Sequence, residues 1–355
     1  MPAVGIVGAG LMGWAHAIGV KALADAGLVD ATVAAVVDTD PDRGAALAAA
    51  TGAVALHTVA DAVDRCQALW VCTPTAFHAA AVEEAVGAGR AVFCEKPLAT
   101  DLATASSLGA AVAAAGAPAQ VGLVLRYSPA CLVVRDLVAS GRLGPVMTVV
   151  LRDDQYFPVQ GLYGSSWRGD VRLAGGGCLI EHSIHDVDIL RFWLGEVDEV
   201  AATTRHVSGR PGVEDVVGAR MRFASGATAA LVSVWHEVLS RGSNRRVEIF
   251  GRDAVAWLDD EFAGPVHVQT TGGTEVLPCA PSAWTAALAL GTGGGLGITA
   301  YVEEDRAFLD ALAASRAPAP SFDDALVAHR VVDAMYRSAA EGGLPVSLDA
   351  TPGPA

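Results

Sequence analysis

The segment Val4-Gly5-Ile6-Val7-Gly8-Ala9-Gly10-Leu11-Met12-Gly13 constrains this chain more than any other. Val4–Val7 predicts a short strand, Gly8, Gly10 and Gly13 fall in G-x-G-x-x-G spacing, and Leu11–Ala26 reads as the helix that follows. That spacing meets three physical demands: a turn without Cβ, a main chain able to approach a pyrophosphate, and close packing of helix on strand. The helix start then offers free N–H groups and a positive dipole end to phosphate. Alone the motif is weak in a chain with 39 Gly, but its strand–turn–helix setting gives it weight. Gly8, Gly10, Leu11, Met12 and Gly13 are the expected cofactor-side residues.

The alternation continues. Strands are expected at Thr32–Val37, Ala68–Val71, Ala91–Cys94 and Gln120–Leu123, and helices at Arg43–Ala50, Ala76–Val86 and Leu102–Ala114. Apolar strands joined by helices indicate an α/β, doubly wound parallel sheet covered on both faces. After about residue 125 the pattern changes. A helix at Ser128–Ala139 precedes strands at Val146–Leu151, Val197–Val207, Asp215–Phe223, Thr228–Val234, Arg246–Phe250 and Ala254–Trp257. One helix near Leu179–Leu194 interrupts them. Strand after strand predicts a large, mostly antiparallel sheet, and hence domains at 1–124 and 125–355. Residues 291–297 read as a loop, Tyr301–Ala314 and Phe322–Ala340 as terminal helices, and the end as a Pro-rich tail.

Composition narrows the function classes. A length of 355 residues suits two domains, and 52% hydrophobic against 18% charged residues excludes a disordered chain. A formal net charge of −15 disfavours nucleic acid and anionic membrane as partners. Neither a leader segment nor an apolar run of about 18 residues is visible, so a soluble cytoplasmic protein is expected. The cysteines at 66, 72, 94, 131, 178 and 279 form no C-x-x-C pair and suit buried free thiols in a reducing compartment. Only two of the 24 basic residues are lysines, Lys21 and Lys96, which makes each informative.

Asp38 closes the second strand. A carboxylate there can accept hydrogen bonds from both adenine-ribose hydroxyls and repels a 2′-phosphate, which favours NAD over NADP. A plain turn or N-cap Asp is the alternative. Cys94-Glu95-Lys96-Pro97 stands at a strand end, where Lys96 can donate to a substrate oxygen or relay a proton. Gly175-Gly176-Gly177 leads into Glu181, His182, His185 and Asp186. The spacing of four predicts Glu181 and His185 on one helical face, and His182 with Asp186 on the next. His185 suits general acid–base work, with Glu181 as orienter or substrate clamp. Metal binding through His182 and His185 lacks a third well-spaced ligand, so no metal is expected. A buried helix His bonded to main chain is the plain alternative.

The order of strand–GxGxxG, Val71-Cys72-Thr73-Pro74-Thr75, Glu95-Lys96-Pro97, and three glycines followed by an acid four before a His resembles the Gfo/Idh/MocA family. Arg246-Val247-Glu248-Ile249-Phe250-Gly251 and Tyr301…Phe308-Leu309 extend the likeness over the chain. The resemblance implies a Rossmann domain followed by a C-terminal α+β domain with an open sheet, the face of a homodimer or homotetramer. It implies NAD(P)-dependent oxidation or reduction of a sugar, cyclitol or related secondary alcohol, with Lys96 as the motif lysine and His185 as the catalytic histidine. Glu181 stands where Asp is commonest. Thr73, Pro74, His78, Glu95 and Lys96 fall at turns that contact the cofactor. Arg126, Tyr127, Trp167, Arg168 and His182 are candidate substrate contacts, since a Trp face suits a sugar ring and Arg can fork to vicinal hydroxyls. A role in the domain interface is their alternative. Tyr156, Tyr163 and His236 are weaker candidates. Two other functions stay open: transient sugar oxidation by held NAD with no net redox, and a non-catalytic NAD- or sugar-sensing regulator. Intact Lys96 and His185 argue against the regulator.

Overall fold

A computed structural model of the chain describes residues 2–262, 264–280, 282–285, 288 and 297–348. Most of the loop expected at 291–297 and the tail beyond 348 lie outside the described residues. The first strands and helices are β1 (Ala3–Val7), α1 (Leu11–Asp25), β2 (Thr32–Val37), α2 (Pro41–Thr51), β3 (Val54–Leu56), α3 (Val59–Arg65), β4 (Ala68–Val71), α4 (His78–Gly87), β5 (Ala91–Cys94), α5 (Leu102–Ala115) and β6 (Ala119–Val121). Their strands form one parallel sheet in the order β3-β2-β1-β4-β5-β6. The order reverses between β1 and β4, the point where such sheets bind ligands outside the strands' carboxyl ends.

The chain continues with α6 (Pro129–Ala139), β7 (Val146–Tyr156), the one-turn helices α7 (Val171–Ala174) and α8 (Cys178–Glu181), α9 (Ile184–Leu194), β8 (Val197–Arg205), β9 (Val216–Phe223), β10 (Thr228–His236), β11 (Asn244–Gly251), β12 (Val255–Leu258), β13 (Val266–Thr270), β14 (Gly273–Leu277), α10 (Gly297–Ala313), α11 (Phe322–Ala340) and β15 (Val346–Ser347). Nine strands make the second sheet, β14-β13-β12-β11-β7-β10-β9-β8-β15. Only β7 and β10 run parallel; the other pairs are antiparallel. Burial alternates along β9, β10 and β11, so one face is packed and the other open.

Two compact units result: Met1–Tyr127 with Pro281–Leu326, and Ser128–Ala280 with Val327–Ala355. The expected division at 124/125 assigns 281–326 to the second domain, whereas the contacts group it with the first. The reason lies in the core. Phe308 and Leu309 of α10 pack on one face of the parallel sheet with Trp70 and Phe93, and Phe322, Ala325 and Leu326 pack on the other. The Trp70, Phe93 and Phe308 rings lie 5.1–5.9 Å apart, each pair adding about 0.5–1.5 kcal/mol beyond area burial.

A second difference concerns the glycine-led helix. The expected Leu179–Leu194 helix is two helices. His182 leaves helical geometry at φ −120°, and the Ser183 N–H reaches back to Cys178 O at 2.8 Å. Glu181 and His185 therefore do not share one continuous helical face. All six cysteines are free thiols, four buried and two half-buried. Among the described residues no helix is long and apolar enough to cross a membrane.

Candidate active site

The glycine turn is built as the motif requires. Gly8 has φ +100°, and a Cβ there would lie 2.7 Å from Cys72 O. A Cβ on Gly13 would come within 1.8 Å of Gly8 O, so α1 can seat on β1 only with glycine at both positions. Gly10 differs, since its Cβ would meet open space. It stands at the N-cap of α1 and supplies no side-chain cap, which leaves the first-turn N–H groups to a phosphate. Leu11 beside it is exposed and Met12 half-buried.

Asp38 is not the helix cap; Asp40 caps α2 through the N–H groups of Asp42 and Arg43. Asp38 instead accepts from Ala9 N–H at 2.6 Å through Oδ2 and from Asp40 N–H at 2.7 Å through Oδ1. It braces the glycine turn, and each oxygen keeps a second lone pair for a ribose hydroxyl. Across the switch point, Thr73 Oγ1 is buried without a hydrogen-bond partner among the described residues. Such an orphan costs about 1–3 kcal/mol unless a ligand or water satisfies it. The open cradle at Gly10, the braced Asp38 and this orphan hydroxyl fit a dinucleotide. Pro74 follows in extended geometry. His78 is engaged otherwise: its ring nitrogens lie 2.8 Å from Pro97 O and 2.9 Å from Thr73 O, so it ties the two turns together through main chain. Glu95 likewise faces inward, bonded to His16 and to the Lys96 N–H. Lys96 stands half-buried just past the end of β5.

In the second unit the glycine-led turn is clamped from below. Glu214 accepts from Gly177 N–H (2.8 Å), Leu179 N–H (2.9 Å) and Tyr336 O–H (2.8 Å). A Cβ on Gly177 would lie 1.8 Å from Glu214 O. Glu181, only 2% exposed, accepts from Arg168 Nε at 2.6 Å. Arg168 also donates to Ser165 Oγ and lies over the Trp167 ring at 4.5 Å, covering one of its faces. His185 is 7% exposed in the first turn of α9.

His182 and Asp186 meet at a residue that the sequence reading passed over. Arg245 donates to Asp186 (2.6 Å), Glu261 (2.9 Å) and Asp153 (3.3 Å). His182 Nε2 lies 2.9 Å from Asp153 Oδ2 and 3.2 Å from Arg245. A guanidinium this close disfavours a metal cation on His182. Burial pushes both Asp153 and Asp186 up to about 6, although Arg245 opposes the rise. A folded pKa above the unfolded value adds stability that is present below about pH 4 and lost as pH rises through about 6. Asp153→Asn is therefore expected to gain roughly 2–3 kcal/mol relative to wild type between pH 4 and pH 7. Paired thermal melts across that range check it, and a constant difference would refute it.

Arg126 donates to Asp324 at 3.2 Å, and the Tyr127 hydroxyl donates to Ala319 O, so both side chains are engaged within the first unit. Tyr156 and Tyr163 pack ring to ring at 5.6 Å, with the Tyr156 hydroxyl accepting from Leu162 N–H. His236 Nδ1 accepts from Val238 N–H, and its Nε2 lies 3.5 Å from Asp154. None of these contacts singles the three out as substrate residues.

A parallel sheet with a glycine cradle at its switch point, followed by an open-sheet unit, defines a dinucleotide-binding protein with an added domain. Residues 3–123 match the model of the oxidoreductase family with an NAD-binding Rossmann fold, and residues 131–256 match the GFO/IDH/MocA C-terminal domain. The inositol 2-dehydrogenase of Rhizobium meliloti is 30% identical over 345 residues, 95% of this chain and 96% of that protein. A putative myo-inositol dehydrogenase from Sinorhizobium meliloti superposes with a TM-score of 0.79 at 28% identity, covering 98% and 99% of the two chains. An oxidoreductase domain protein from Kribbella flavida gives a TM-score of 0.86 at 26% identity over 98% of each chain. The chain belongs to the Gfo/Idh/MocA family of NAD-binding oxidoreductases.

Proposed function

We propose that the chain is an NAD-dependent dehydrogenase acting on a secondary alcohol of a cyclitol or sugar. The glycine turn and Asp38 would hold NAD, which would supply the acceptor for the carbinol hydride. His185 takes the hydroxyl proton, and Lys96 holds the oxygen and offsets its developing negative charge. Glu181, fixed by Arg168, accepts from a neighbouring hydroxyl. The observation that carries the substrate class is this Arg168–Glu181 pair, at 2.6 Å, with Glu181 four residues before His185. A fixed acceptor and an imidazole in one segment suit vicinal hydroxyls. The inositol 2-dehydrogenase relative supports the same class.

The test is absorbance at 340 nm with NAD or NADP and a panel of cyclitols and monosaccharides. Growth of the band with NAD and one polyol group is expected; a flat trace across the panel from protein that binds NAD overturns the dehydrogenase reading. Asp38→Asn is expected to raise the NADP/NAD ratio of kcat/KM by about 10–100-fold, because the like charge facing a 2′-phosphate is gone. The amide keeps one acceptor where two N–H groups need one each, so the turn also weakens by about 1 kcal/mol. A wild type that already prefers NADP would sink the role given to Asp38.

The open sheet face is the surface through which the chain forms a homo-oligomer in this reading. Val150 of β7 pairs with Ala230 of β10, and Val232 follows two residues on, so both valines stand on that face, 41% and 46% exposed. Sedimentation checks it, and a monomer at micromolar concentration overturns it.

A further inference from the structure

We propose that His16 is a positioning residue, a buried imidazolium that fixes the lysine turn from the glycine-turn helix. The inference rests on the catalytic role proposed for Lys96. His16 lies five residues after Leu11, within α1, and is 0% exposed. Its Nε2 is 3.0 Å from Glu95 Oε1, and its Nδ1 is 2.7 Å from Asp305 Oδ1. Glu95 Oε2 accepts the Lys96 N–H at 3.1 Å. The path from helix to catalytic turn is thus one imidazole and one carboxylate long.

The geometry suits a charged ring. Both Glu95 oxygens accept hydrogen bonds, and Asp305 Oδ1 also accepts from Trp70 Nε1 at 2.8 Å. Facing two ionised carboxylates, a neutral imidazole has one N–H and would turn a lone pair toward one of them, whereas the doubly protonated ring donates to both. Burial opposes the charged ring, but Asp305 and Glu95 outweigh it and hold its pKa well above the usual histidine range. The groups facing this cluster are Glu304, Cys72, Cys94, Lys96 and His78. Burial, together with Glu95 and Asp305, pushes Glu304 well above the usual carboxylate range, although His16 opposes the rise. His16, Glu95 and Glu304 place ligand-type atoms within 4.8 Å of one another, but a doubly protonated ring has no lone pair to give a metal.

Gly122 stands against Glu95: a Cβ there would lie 3.2 Å from the carboxylate, so glycine leaves Glu95 its place beside His16. Phe93 and Tyr301 wall the imidazole at ring distances of 4.9 and 6.0 Å. Loss of the imidazolium frees Glu95 and, with it, the main chain that aims Lys96.

The test uses His16→Gln in the full-length protein, since an amide cannot donate from two ring positions. The chain has only two lysines, so [13Cε]lysine labelling gives two side-chain NMR signals. Lys21, paired with Asp25 on α1, is the internal control. The Lys96 midpoint is expected to move by about half a pH unit or more while that of Lys21 stays. In turnover, kcat is expected to fall about 10–100-fold with KM for NAD within about threefold, and adding Glu95→Gln should recover part of the loss. An unmoved Lys96 signal, or wild-type kcat, overturns the proposal. If His16→Gln does not fold, the 15N shifts of wild-type His16 decide: a neutral ring at pH 7 overturns it. The NMR readouts need no substrate, so they separate failure here from failure of the dehydrogenase reading.

Discussion

Lys96→Ala and His185→Ala are each expected to lower kcat by about 10²–10⁴-fold while NAD affinity changes only a few-fold. His185 is given the proton transfer, and Lys96 the charge that develops on the oxygen. Neither belongs to the glycine cradle, which rests on Gly8, Gly10, Gly13 and the braced Asp38. Binding and turnover should therefore part company. Steady-state rates on the polyol that gives the strongest 340 nm signal, with NAD titrated by intrinsic fluorescence, measure both. Wild-type turnover in either variant would remove that residue from the chemistry. The double variant should fall far short of the product of the two losses, because residues that act on one transition state are not additive.

Arg245→Met is expected to cost about 3–5 kcal/mol of stability, the largest loss anticipated for a single side chain here. Arg245 is 4% exposed, and its guanidinium faces Asp153, Asp186 and Glu261. Methionine fills much of the volume but leaves three buried carboxylates without their counter-ion. They must then take up protons or open to water, so the deficit should shrink as pH falls toward 4. Denaturant melts at pH 7 and pH 4.5 read this directly. A variant as stable as wild type at pH 7 would show that the carboxylates find other partners.

The parallel sheet is legible in the sequence because its strands are continuous apolar runs, such as Ala-Leu-Trp-Val at 68–71, separated by helix-length segments. The glycine turn is legible because its constraint is local. Val54–Leu56 is not, because a three-residue apolar run is too short to be told from a loop. The β13–β14 hairpin is hidden for a similar reason, β14 being mostly exposed. The break at His182 is masked because Ile180, Ile184 and Val187 keep helical spacing across it, while the backbone departs from the helix locally. Contacts distant in sequence are the least readable. Asp305 lies 289 residues from His16, and nothing in either neighbourhood announces the other. Arg245 is one arginine among many until the fold gathers three acids around it.

The discontinuity of the first unit bears on how the chain is made. Its core needs Phe308, Leu309, Phe322 and Leu326, and its buried His16 needs Asp305. At about 5–20 residues per second, a ribosome takes roughly 10–40 s to travel from Tyr127 to Leu326. Throughout that interval the glycine-turn segment is outside the ribosome with an unfilled core and a histidine that lacks one of its two carboxylate partners. The nascent chain is thus expected to depend on chaperone shelter early in synthesis, and to acquire its cofactor only near the end.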